Sequence, residues 1–238
     1  MNITNSFRYL VFLGLISLLT ACGGGGDSDA NSPLAGTWYG ALEDSSSVMH
    51  ALSVTISSNN TISSIIIDNV NQNLTGAITA QASTIDSNLY GFVLSDATEG
   101  GFFTDSTHSY IAYLADDLSF GVLQKSATDR PVYIFADIAG NWSGYSVELD
   151  SAWDLSDEYT STATVQTDGS FSVTASGTIS TGTFTDHHPT YGRYTGSYSN
   201  PSDTGVVSAF ISVDKQFVAS WACSGSWPSS CSYSSWTK

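Results

Sequence analysis

The chain has 238 residues and carries 22 Asp and Glu against six Lys and Arg, a formal charge of -16 at pH 7. A surface so acidic repels nucleic acid and anionic lipid, which removes nucleic acid from the candidate partners. The length beyond a leader suits one large all-β domain or two domains of about a hundred residues each.

In chain order, the first element is that leader. Arg8 precedes an apolar run, Tyr9 to Leu19, reading YLVFLGLISLL. The run is too short to span a bilayer, which takes about 20 apolar residues, but it suits the core of a secretory signal. Leu19, Thr20, Ala21 and Cys22 then resemble the lipobox of bacterial lipoproteins. The resemblance implies cleavage before Cys22, a diacylglycerol on its thiol and an acylated amine. Residues 1–21 are therefore expected to be a lipoprotein signal peptide and Cys22 a membrane anchor. Several acyl chains on one cysteine bind far more firmly than a single myristoyl group. Residues 22–33, CGGGGDSDANSP, are too small and polar to build a core and are expected to form a flexible tether. By the same resemblance, Gly23 in place of aspartate after the cysteine implies the outer membrane of a Gram-negative bacterium, in either leaflet.

Beyond the tether the chain says similar things twice. LAGTWYG, Leu34 to Gly40, returns about a hundred residues later as IAGNWSG, Ile138 to Gly144. The segment ending at Ile62 matches that ending at Phe171, and GAIT from Gly76 matches GTIS from Gly177. AYLADDLSF, Ala112 to Phe120, meets AFISVDKQF, Ala209 to Phe217. Conserved order with drifting spacing is the mark of a duplicated unit whose insertions fall in loops. The expected units are 34–126 and 138–238, joined by a linker at 127–137 in which Val132 to Ala136, VYIFA, reads as a strand that packs. Within each unit SVTIS, SFSVTAS and AFISV alternate with period two, and SNNT and TDG between such runs suit tight turns. Only SAWDLSDEY, Ser151 to Tyr159, hints at a helical turn. The fold class is therefore all-β: two tandem small antiparallel up-and-down barrels or curved sandwiches, with one large barrel built from two halves as the alternative.

Glycine, one residue, then tryptophan on a first strand resembles the calycin group, the lipocalins and avidins. That resemblance makes Trp38 and Trp142 plugs at the bottom of barrels, with Gly36 and Gly140 letting the chain approach closely. It does not carry biotin binding. Two residues beyond the tryptophan the avidins place a ligand-binding asparagine, and four further a serine; here stand Gly40 and Asp44, and Gly144 and Glu148. Units of about 95 residues are also expected to leave little interior for a lipocalin-type ligand.

Two cysteines remain besides Cys22. Cys223 and Cys231, eight apart in an oxidising compartment, are expected to pair as a disulfide; their spacing is neither C-x-x-C nor a zinc pattern. Between and after them Trp227, Tyr233 and Trp236 are candidate contacts for a glycan or an envelope protein if exposed. Otherwise these rings cap the end of a barrel. Asp186, His187 and His188 are candidate metal ligands, although adjacent histidines on a strand face opposite ways. No serine stands in a G-x-S-x-G elbow, and no spaced acids form a calcium loop. The function expected is a non-catalytic binding or envelope-structural role without a cofactor, with a hydrolase of envelope or extracellular polymer as the alternative.

Overall fold

A computed structural model describes residues 32–81, 88–116, 119–127, 130–149, 155–224 and 231–238. The leader, the lipobox cysteine, most of the tether, Trp153 and Trp227 lie outside the described residues. The first unit contains β1 (Gly36–Glu43), β2 (Met49–Ile56), β3 (Thr61–Ile67), β4 (Val70–Asn71), β5 (Gly76–Ala80), β6 (Leu89–Leu94), β7 (Glu99–Thr104), β8 (Tyr110–Ala115) and β9 (Phe120–Lys125). All but β4 form an antiparallel barrel of eight strands, closed where β1 pairs with β9 and β2 with β3. The two-residue β4 only extends the edge of β3.

A 3-10 turn, Phe135–Ile138, leads into the second unit: β10 (Gly140–Leu149), β11 (Leu155–Val165), β12 (Ser170–Ala175), β13 (Thr178–His188), β14 (Arg193–Ser199), β15 (Thr204–Ile211), β16 (Phe217–Cys223) and β17 (Cys231–Thr237). These eight close as a second barrel, each strand antiparallel to its neighbours in the chain and β17 returning to β10. The chain thus builds two barrels in tandem, not one barrel from two halves. Period-two burial makes the walls: Leu52, Val54 and Ile56 alternate inward along β2, as the sequence pattern requires. The anticipated turns form at Asn60 and Gly169, both at positive φ.

Three local expectations are corrected. Val132 to Ala136 is not a strand: Tyr133 is buried between exposed Val132 and Ile134, and the 3-10 turn begins at Phe135. Alternation in so short a run specifies which side chains face in, not that a neighbouring strand exists to pair with it. The helical turn suggested for Ser151 to Tyr159 gives way to β11 from Leu155 onward, and 151–154 lie outside the described residues. Finally, β8 and β9 correspond to β16 and β17, because those are the strands that close each barrel. The matched runs at Ala112 and Ala209 are therefore one hairpin out of step. Hairpins with acidic turn residues recur throughout the chain and match one another at several offsets.

Both barrels are closed at the end where their first strand begins, and by the same device. Trp38 and Trp142 are buried, 0% and 2% exposed. Each indole N–H donates to the carbonyl four residues upstream, Leu34 or Ile138, at 2.9 Å in both cases. A lysine covers each ring, Lys125 at 5.4 Å and Lys238 at 4.8 Å from the centroid. Gly36 and Gly140 take φ of +136° and +146°, a region open to glycine. Gly40 and Gly144 answer to a different constraint. A Cβ there would stand 1.8 Å from the Val122 carbonyl oxygen or 1.9 Å from that of Ser235, so the closing strand excludes any side chain.

The barrels meet through outward faces. Ala41, Phe120 and Val122 of the first share an apolar cluster with Val147, Phe210, Phe217 and Tyr233 of the second. Tyr110 stacks on Phe217 at 5.1 Å, and Phe120 meets Phe210 edge-on at 5.6 Å. Inside this contact, Glu43 is only 5% exposed and pairs with Arg193 at 2.5 Å. Burial pushes the Glu43 carboxyl above its ordinary value while the Arg193 guanidinium pulls it down. Removing one partner strands the other charge in a buried place. Arg193→Ala is therefore expected to cost about 3 to 5 kcal/mol by urea denaturation; an unchanged midpoint would show that Glu43 draws its compensation from elsewhere.

Candidate functional site

The two interiors differ although their frames match. The first barrel is filled by large side chains, among them Leu42, Leu52, Phe102, Tyr113 and Leu123. Register places the corresponding positions of the second barrel. Ser146 stands four residues beyond Trp142 as Leu42 does beyond Trp38, and Ser161 faces Gly144 as Leu52 faces Gly40. Ser220 faces Ser234 where Tyr113 faces Gly121. Serines thus stand where the first barrel has two leucines and a tyrosine, and the space those side chains would fill is open. The second barrel holds a cavity of about 670 Å³.

Trp142, Ile138, Phe171, Phe184, Val218 and Trp236 line the closed end of this cavity. Halfway up, one wall is hydroxylic. Ser146 Oγ donates to Ser161 Oγ at 2.8 Å and lies 2.6 Å from Ser234 Oγ, and Trp236 Nε1 donates to Ser161 Oγ at 2.8 Å. Val173, Ala175, Val207 and Ala209 make the opposite wall. Glu148, Asp157, Glu158, Tyr159 and Asp203 line the other end, the mouth. Glu148 and Asp157 are direct cross-strand neighbours, a like-charge pairing that works against stability. Tyr159 donates to Glu148 at 2.7 Å; burial and this bond push its phenol well above the ordinary range. The cavity corrects the expectation that so short a unit has no room. Strand number fixes the width of a barrel, and side-chain size decides whether it is full.

The anticipated site residues fall in several places. Cys223 and Cys231 form the disulfide, joining facing positions of β16 and β17 at the mouth. Tyr233 is 3% exposed and packs in the contact between barrels, near Phe120. Trp236 is 6% exposed and faces the cavity. Neither ring is an outer-surface contact, because period-two alternation on β17 sends one to the apolar seam and the other inward. Trp227 lies outside the described residues. His187 stacks on Tyr194 at 5.9 Å and meets Phe135 edge-on, whereas His188 packs on Tyr191 at 4.9 Å and Asp186 is exposed. The structure does not bring these three together, and among the described residues no three His, Cys, Asp or Glu converge on a point that would hold a metal ion.

Sequence reasoning missed Ser146, Ser161, Ser220 and Ser234. The signal was present at two of them: once the tryptophans are superposed, Leu42 stands against Ser146, and strand register sets Leu52 against Ser161.

At the mouth end of the first barrel the equivalent acid is Asp44, with His50 where the second barrel has Tyr159. His50 lies 2.7 Å from Asp68 and 3.2 Å from Asp44. The Asp68 hydrogen bond raises the imidazole above its ordinary 6.5 despite partial burial. Asp44 is held low chiefly by the Val48 amide, and Asp68 by His50. The histidine's contribution is whole below its unfolded value and lost as pH rises through the raised one. The two aspartates lose theirs only as pH falls through the carboxylate range. Thermal stability is expected to decline as pH rises from the ordinary imidazole value of 6.5 through the raised one, and His50→Gln to flatten that slope; a slope unaltered by the substitution would assign it to another group.

Fold and cavity together define a tandem two-barrel protein with one filled and one hollow barrel. No family model and no curated protein matches the chain. Among solved structures it is similar to a protein of unknown function from the DUF3598 family of Nostoc punctiforme, with a TM-score of 0.35 at 11% identity, over 90% of this chain and 100% of that one. It is also similar to a tryptophan-to-alanine mutant of the vaccine antigen transferrin binding protein B from Haemophilus parasuis (TM-score 0.42, 10% identity, 83% of this chain). The same protein from serogroup B Neisseria meningitidis gives 0.40 at 11% identity over 84% of this chain. This chain spans 43% and 42% of those two transferrin binding protein B chains.

Proposed function

We propose that this is a lipid-anchored binding protein of the outer membrane that holds a small molecule inside its second barrel, with the first barrel as a structural partner. The observation that carries the reading is the cavity of about 670 Å³ standing where the first barrel is filled. That volume falls within the roughly 300–1,000 Å³ of small-molecule sites. An apolar aromatic floor beneath a few placed hydroxyls is the usual composition of such a site. The role is non-catalytic: the serines of the wall hydrogen-bond to one another and to an indole, not to a base that would activate them.

The test refills the cavity with the side chains of the first barrel. Wild-type protein is expected to enhance the fluorescence of a neutral dye such as N-phenyl-1-naphthylamine. The double variant Ser146→Leu, Ser220→Tyr is expected to keep the far-ultraviolet spectrum of the barrel and bind the dye at least about tenfold more weakly. Equal binding by a folded variant would place the dye elsewhere and defeat the reading.

The anchor is proposed on the sequence alone, from LTAC at residues 19–22. Cys22→Ala is expected to move the protein from the membrane fraction to the soluble one and to abolish incorporation of labelled fatty acid. Retention in the membrane with no label on the wild type would remove the lipid from the proposal.

A further inference from the structure

The second barrel is polarised from end to end, and the polarity selects a ligand. At the closed end Lys238 lies over the face of Trp142, so the floor already has its cation. At the mouth stand Asp157 and Asp203, both exposed. The chain has five Lys and Arg beyond its leader, and each is engaged away from that mouth. Lys125 donates to the Pro33 carbonyl, Arg130 to that of Gly40, Arg193 pairs with Glu43, Lys215 with Asp137, and Lys238 covers Trp142. These contacts hold the lysines and arginines of residues 32–238 away from Asp157 and Asp203.

Resting on the reading of the second barrel as a container, we infer that its ligand is a small organic cation with an apolar, ring-bearing body. The body sits on the floor of Trp142, Trp236, Phe171 and Phe184, and the ammonium group stays at the mouth between Asp157 and Asp203. From Trp142 to Glu148 the strand advances six residues, about 20 Å of strand. Tilted as barrel strands are, that spans roughly 15 Å along the axis, so one molecule of modest length can touch floor and mouth together. Lys238 below the floor disfavours the inverted pose, which would bring two cations toward one ring. An anion with the same body meets repulsion on entering. The serine wall gives a hydroxyl or a second amine on the body somewhere to bond.

The experiment titrates the full-length protein with three indoles of nearly equal size, tryptamine, tryptophol and indole-3-acetate, by calorimetry and ligand-observed NMR. Tryptamine is expected to bind about tenfold tighter than indole-3-acetate, with tryptophol between them. Raising the salt should narrow the gap. The variant Asp157→Asn, Asp203→Asn alters two exposed side chains and should bring the three within about twofold to threefold of one another, by weakening tryptamine and strengthening indole-3-acetate. The Ser146→Leu, Ser220→Tyr variant should weaken all three. If the three bind the wild type alike, or the anion binds best, selection of a cation is overturned and the container stands. If none binds and the neutral dye also fails, both fall together.

Discussion

The indole at the foot of each barrel is the contact on which the rest of the structure depends. An antiparallel barrel has to close twice, around its circumference by strand pairing and at its foot by something large enough to cover the hole. Trp38 and Trp142 meet the second need. Their N–H groups find carbonyls four residues back, so a polar atom is buried at no loss, and a lysine lies over each face. The arrangement sets the position of the chain entering the barrel and the position of the last strand. It also accounts for Gly40 and Gly144, since the closing strand passes too near for a Cβ.

Once that frame was doubled, the two interiors were free to diverge. In one, leucines and a tyrosine fill the space. In the other, serines stand at the same register and keep it open. A hollow barrel gives up dispersion contacts and burial that its filled sibling enjoys. The seam between the barrels restores part of that loss through the apolar contacts of Phe120, Phe210, Phe217 and Tyr110.

How much of this could be seen in the sequence depends on the range of the physics involved. Period-two alternation and turn residues are local, so SVTIS and TDG announced β2 and the β11–β12 turn, and the repeated Gly-x-Trp announced both plugs. Val132 to Ala136 alternates just as well and is not a strand, because pairing needs a partner that the segment itself does not reveal. The cavity is set by register between strands far apart in the chain: Ser220 matters because it faces Ser234 and because its counterpart Tyr113 faces Gly121. Composition led in the wrong direction at Trp236 and Tyr233. A tryptophan near a chain end among serines looks exposed until β17 is seen to be the strand that closes the barrel.

The commitment of the basic side chains has a consequence for endurance. A protease that cuts after lysine or arginine needs a stretch of chain that can be drawn out into its cleft. Between residues 32 and 237 there are four such places, and the side chain of every one is held by a carbonyl, a carboxylate or a ring. Cleavage at the two that stand in strands, Lys125 and Arg193, requires part of a barrel to open first. A protein built this way is cut at those two positions only as fast as its barrels open, so its loss there would follow its unfolding rather than the supply of enzyme.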